Sequence, residues 1–175
     1  RLSRSSALAS KASGYPIAKI TTKIATGLTL DEIKSPVGDS GSAYYEPVID
    51  YLVVKMPRWS FDKFTDADRV LGTQMKATGE VMAIDKNLEG ALMKATRSLE
   101  RGLIGLQLKN LKNADINTIK SKIAKATDER LFAIAEGLRR GLDLDELSNL
   151  SKIDKTFLKI IQNIVNMEKR LSKET

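Results

Sequence analysis

The chain contains no cysteine and no histidine. The first absence excludes disulfides and thiolate metal sites, and the second removes the commonest general base and metal ligand. Any chemistry carried here rests on Arg, Lys, Ser and carboxylates, or on groups supplied from outside. Aromatic residues make up only 5%, too few to build an extended stacking platform for single-stranded nucleic acid. Proline is scarce at four in 175 residues, with none from Gly102 onward, so that half is free to be helical without interruption. No apolar run approaches the roughly 20 residues that span a bilayer, and a secretory leader pattern is missing, so a cytoplasmic protein with no membrane partner is expected.

What is present resembles an ordinary globular chain, with 42% apolar and 29% charged residues. The length suits one domain, or a small domain plus a piece of another. A net charge of +7, from 29 basic and 22 acidic residues, permits attraction to polyanions. The two signs are interspersed without a basic block, which reads as a solvated surface. The opening residues lack a methionine and are expected to follow a cut inside a longer polypeptide.

Residues 6–13 have helical propensity, and Gly14-Tyr15-Pro16 ends that helix. A second helix then carries Ile17, Ile20 and Ile24 on one face, closed by Gly27. Thr29 to Glu32 has the form of a capping box and predicts a third, very short helix. Residues 35–46 read as a loop, and residues 48–55, rich in β-branched and aromatic side chains, as a strand stopped by Pro57. Residues 79–84 predict a second strand, and Asp85 caps a helix whose inner side is Leu88, Leu92, Ala95 and Leu99.

Beyond Gly102 four helical patterns follow, with Asp115, Thr127 or Asp128, Asp143 and Asp154 at their starts. Their apolar stripes are Ile116, Ile119 and Ile123, then Leu131, Ile134, Ala135 and Leu138, and in the last helix Phe157, Ile160, Ile161 and Ile164. The expected fold is mainly α with a small mixed α/β N-terminal part.

Candidate binding groups are few. Arg1, Arg4, Ser5 and Ser6 offer guanidinium forks and hydroxyls to an oxyanion, although such a cluster at a chain end also reads as a solvated tail. Gly38-Asp39-Ser40-Gly41 lacks the lysine and spacing of a phosphate loop. Arg58-Trp59 pairs a cation with a stacking ring, and Glu80 at a strand start is placed to orient a substrate. Residues 128–170 alternate long and short helices as in a helix-turn-helix, yet the apolar stripes favour plain helix packing over a base-reading helix.

Longer motifs carry a resemblance. Residues 1–19, opening Arg1-Leu2-Ser3-Arg4-Ser5-Ser6, the phrases Glu46-Pro47-x-Ile49-Asp50-Tyr51 and Lys55-Met56-Pro57-Arg58-Trp59, residues 73–84, and Asp128-Glu129-Arg130-Leu131-Phe132 are similar to the large subunit of carbamoyl-phosphate synthetase. Ile153-Asp154-Lys155-Thr156-Phe157-Leu158 resembles the same family's oligomerisation domain. The resemblance implies an ATP-dependent ligase that makes carbamoyl phosphate from bicarbonate and glutamine-derived ammonia for arginine and pyrimidine synthesis.

It further implies that residues 1–100 are the C-terminal segment of the carboxyphosphate-forming ATP-grasp domain and residues 101–175 a truncated helical oligomerisation domain. Arg1 takes the place of the arginine that binds the carboxyphosphate intermediate, and Arg4, Ser5 and Glu80 that of residues lining the carbamate passage. ATP and Mg (or Mn) serve the parent enzyme, with the metal ligands upstream of Arg1 and no cofactor expected on this chain. The implied partners are the rest of the large subunit, a glutaminase small subunit and a second copy through the helical domain. The other class of function kept open is a free-standing basic helical module that binds nucleic acid.

Two departures from the family pattern stand out: Asp85 where glycine is usual and Gly90 where glutamate is common. Because phosphoryl transfer depends on metal and cationic groups around the migrating charge, the chain alone is expected to show no bicarbonate-dependent ATP hydrolysis. A coupled phosphate-release assay that detected such turnover would refute this.

Overall fold

The computed structural model of the protein describes residues 3–36 and 41–174, with Arg4 described by its backbone alone. It divides into two compact units, Arg1–Tyr51 and Leu52–Thr175.

The first unit is a helical hairpin and an irregular tail. Helix α1, Arg4–Ser13, stops at Gly14, whose φ of 73° is the left-handed value that glycine adopts at little cost, and whose N–H bonds the Ser10 carbonyl at 2.9 Å. Helix α2, Ile17–Ala25, follows Pro16. Its Ile20 is buried with Ile33 and Ala43, but Ile24 is exposed rather than part of the expected apolar face.

Thr29 and Glu32 do bond, the Thr29 N–H donating to the Glu32 carboxylate at 2.9 Å, yet the helix expected there is only a turn. Pro36 forces the preceding residue out of helical geometry, and the chain instead forms a bridge between Lys34 and Ser42. Tyr15 ties this segment down through its hydroxyl to the Ala43 carbonyl at 2.8 Å, and Tyr51 bonds the Ala12 carbonyl.

The second unit begins with an antiparallel hairpin of β1, Leu52–Arg58, and β2, Gly79–Asp85, in register from Leu52 opposite Asp85 to Arg58 opposite Gly79. The strand expected over residues 48–55 therefore starts and ends later. Val48 is 97% exposed and outside it, and Pro57 lies within it. A two-stranded sheet leaves each strand one free edge, where a proline without an N–H costs no ladder bond.

Helix α3, Leu88–Ser98, is capped by Asn87, whose side chain accepts from the Gly90 N–H at 2.7 Å, and not by Asp85, which ends β2. Helices α4, Lys109–Lys112, α5, Ile116–Ala124, α6, Arg130–Arg139, α7, Leu144–Ser151, and α8, Lys155–Leu171, complete the unit. The capping carboxylates of Asp115, Asp143 and Asp154 each accept a first-turn N–H, as their sequence positions require. The short α4 has no counterpart in the expected pattern.

Ile119, Ile123, Ile134, Leu138, Leu147, Leu158 and Val165 form the core of the helical part. Helix α8 buries Leu158, Ile161, Ile164 and Val165, while Phe157, expected inside, is 58% exposed. The real stripe is rotated because α8 must meet α3, α6 and α7 together, which selects a face one residue further round. Helix α3 packs on both strands and on α8, so residue 100, the boundary drawn from the resemblance, lies inside the second unit.

The two departures from the family pattern touch each other. A Cβ built on Gly90 would lie 2.8 Å from the Asp85 carboxyl carbon. Replacing a mid-helix glycine by alanine ordinarily stabilises by about 0.5–1 kcal/mol. Here Gly90→Ala should give less than that, and part of the gain should return in the Asp85→Gly background, where the Asn87 cap oxygen still lies 3.0 Å from the new Cβ. A double-mutant cycle by urea denaturation measures the coupling, and additive effects would show that the contact is unimportant.

Candidate functional site

Residues 59–78, between the strands, have no regular structure and are held on the helical part by two attachments. The Leu71 N–H donates to the Ala126 carbonyl at 2.7 Å. Arg69 forks onto Asp128, Nε to Oδ1 at 2.9 Å and Nη2 to both oxygens at 2.8 Å. Asp128 sits in the turn that starts α6, where exposed N–H groups of the helix favour negative charge. Its side chain is 1% exposed and that of Arg69 is 39% exposed. The guanidinium also lies 5.7 Å from the Phe61 ring centre, a cation–π distance.

Glu129, next in the turn, takes the Asn110 amide at 3.1 Å, the Lys122 ammonium and Arg69 at 3.3 Å. Burial pushes its carboxyl upward, but the bond and charge of Lys122, with Asn110 and Arg69, outweigh this and hold it below the usual glutamate value. For Arg69 burial favours the neutral form, and Asp128 and Glu129 more than reverse it, raising the guanidinium above its ordinary value. This arrangement is a two-carboxylate clamp that holds the 59–78 segment on α6.

A second clamp lies across the helices. Arg139 joins Glu168 at 2.8 Å, Glu136 at 3.4 Å and the Leu106 carbonyl at 3.0 Å. Arg140 reaches the carbonyls of Ala114 at 2.6 Å, Lys112 at 2.9 Å and Leu111 at 3.1 Å, at and just beyond the C-terminal end of α4.

The outer side of α8 is different in kind. Phe157, Met167 and Leu171 are exposed and Ile160 is half-buried, at successive spacings of three, seven and four residues, Ile164 between them being buried in the core. That is the spacing of a helix-pairing seam.

Of the residues singled out from sequence, Arg1 lies outside the described residues, as does the Gly38-Asp39-Ser40 stretch. Arg4 begins α1 and Ser5 is exposed on it, while Ser6 accepts the Ser3 N–H at 3.1 Å. Glu80, in β2 of the other unit, pairs with Lys55 at 2.7 Å. Arg58 is occupied by Asp62, at 3.2 and 2.9 Å, and does not form a free cation–aromatic pair with Trp59. On α8 Asn163 bonds Glu89 at 2.8 Å and Gln162 bonds Lys159 at 3.0 Å, so both are tied to their own chain.

The sequence does not reveal the Arg69–Asp128 clamp, because nothing local links residues 59 positions apart; Asp128 is legible only as a candidate helix start and part of a family motif, and the N-cap of α6 is Glu129. Among the described residues no three carboxylates converge into a metal-binding group. Among the same residues no helix is long and apolar enough to cross a membrane.

Residues 80–175 match the family model described as carbamoyl-phosphate synthetase large chain, oligomerisation domain. Residues 1–33 match that of the carbamoyl-phosphate synthase L chain, ATP binding domain.

Arg69→Met should cost about 3 kcal/mol, at the low end for breaking a buried ion pair, because it strands a buried carboxylate. Asp128→Asn should cost less, since the partly exposed Arg69 keeps water and Glu129. Urea titrations that ranked the two the other way would refute the clamp. Glu129 adds stability that is complete above about pH 4.5 and lost as pH falls below it. Glu129→Gln should therefore flatten the acid limb of a stability–pH curve.

Proposed function

We propose a function from one premise: the chain belongs to the carbamoyl-phosphate synthetase large-chain family, whose oligomerisation-domain model covers residues 80–175. It works within an ATP-dependent ligase that forms carbamoyl phosphate from bicarbonate and glutamine-derived ammonia, in the cytoplasm, for arginine and pyrimidine synthesis. Residues 1–100 serve as the closing segment of the carboxyphosphate-forming ATP-grasp domain, a reading supported at the front by the ATP-binding match over residues 1–33. Residues 101–175 serve as the self-association module.

In this reading Arg1 binds the phosphorylated intermediate, and Arg4, Ser5 and Glu80 line the carbamate passage. Ser5 is exposed on α1, and the Lys55 pair keeps Glu80 from being a lone carboxylate. ATP and Mg (or Mn) are held by the rest of the large subunit, and the glutaminase small subunit supplies ammonia. Residues described here do not take the role of metal ligands.

The observation that carries the self-association role is the outer seam of α8, with Phe157, Met167 and Leu171 presented to solvent on the domain that the family model names for oligomerisation. Exposed apolar stripes of this kind mark contacts with another surface. A nucleic-acid role receives less support, because Arg58, Arg69, Arg139 and Arg140 all bind acceptors of their own chain.

Sedimentation velocity tests this reading. The chain should associate, and the contact should persist in 0.5 M salt, roughly, because it is apolar and the neighbouring Lys159, Lys169 and Arg170 share one sign. Phe157→Asp with Leu171→Asp should weaken association at least about tenfold, the usual effect of losing central apolar anchors, with the helical circular dichroism unchanged. A monomer at all concentrations, or salt-sensitive retention on DNA, would sink the proposal.

A further inference from the structure

A small cavity of about 110 Å³ lies between the end of β1, the residues after α3 and the start of α6. Water occupies about 30 Å³ in the liquid, so the space suits a handful of heavy atoms. Its walls are apolar where Met56, Leu99, Leu131 and Phe132 meet, and polar where Arg58, Trp59, Arg101, Thr127 and Asp128 close it, the Asp128 carboxylate being already held by Arg69.

Arg101 has no settled role in the chain. Its side chain is only 21% exposed, and its one carboxylate contact is 3.8 Å from Asp128, too long for a hydrogen bond. Both oxygens of Asp128 are already held by Arg69. In this neighbourhood four cations, Arg58, Arg69, Arg101 and Lys122, meet three carboxylates, Asp62, Asp128 and Glu129. One positive charge is in excess, Arg101 makes the longest of these pairs, and its five donors form a fork that suits a planar oxyanion.

We infer that this cavity binds a short aliphatic monocarboxylate, its carboxylate on the Arg101 guanidinium and its alkyl end against Met56, Leu99, Leu131 and Phe132. The charge and the shape select together. A neutral amide of equal size fills the apolar walls but leaves Arg101 unpaired, and an inorganic anion pairs Arg101 but leaves the walls empty.

Trp59 is the chain's single tryptophan and lines the cavity, so its fluorescence reports occupancy directly. The 175-residue chain is titrated with sodium butyrate at constant ionic strength, against butyramide and inorganic phosphate. A saturable change with butyrate, half complete near about 1 mM as six heavy atoms allow, and at least about tenfold weaker with either control, supports the site. Arg101→Gln should weaken butyrate binding about tenfold or more, the loss of a charge-assisted pair. Should that variant not fold by circular dichroism, Leu131→Phe fills the cavity with Arg101 intact and should abolish the response. Equal responses to butyrate and butyramide, an unaffected variant, or no saturation below about 50 mM would overturn the assignment.

Discussion

The Arg69–Asp128 pair is the constraint on which the second unit's arrangement depends. A carboxylate that is almost wholly buried would be costly alone, and the guanidinium fork offsets that cost only when the irregular 59–78 segment lies against α6. Once it does, Leu71 reaches Ala126, Phe61 lies beneath the guanidinium, and Glu129 gathers Asn110 and Lys122. A stretch with no helix or strand of its own thus takes its position from charge rather than from backbone periodicity.

Helix α3 plays the matching part among apolar contacts. One side of it covers the hairpin through Ala95 and Leu99, and another meets α8, so the strand pair and the helical part share one packed element. A family-domain boundary near residue 100 and a division by packing need not coincide, because a family boundary follows inherited sequence while packing follows which faces are apolar. The match that begins at residue 80 takes in β2 and α3 together with the helices that follow.

The same physics separates the two faces of α8. Leu158, Ile161 and Val165 point into the core, where burying each side chain contributes on the order of 1.5–3 kcal/mol. Phe157, Met167 and Leu171 are left outside, which has no benefit for the isolated unit but is what a surface of association requires. The core stripe accounts for the fold, and the outer stripe for the proposed partner.

The helical character beyond residue 102, the caps at Asp115, Asp143 and Asp154, the stop at Gly14 and the second strand are legible along the chain, because each is set by groups within a turn or two of one another. The sequence also carries the family, through motifs spread along its length. Long-range packing sets that Phe157 faces outward, that Pro57 lies inside a strand, that the turn after Thr29 does not become a helix, and that Asp85 and Gly90 fit one another. The clamp on Asp128 and the loosely paired charge of Arg101 belong to the same group. These depend on partners dozens of residues away, and neither periodicity nor propensity reaches that far.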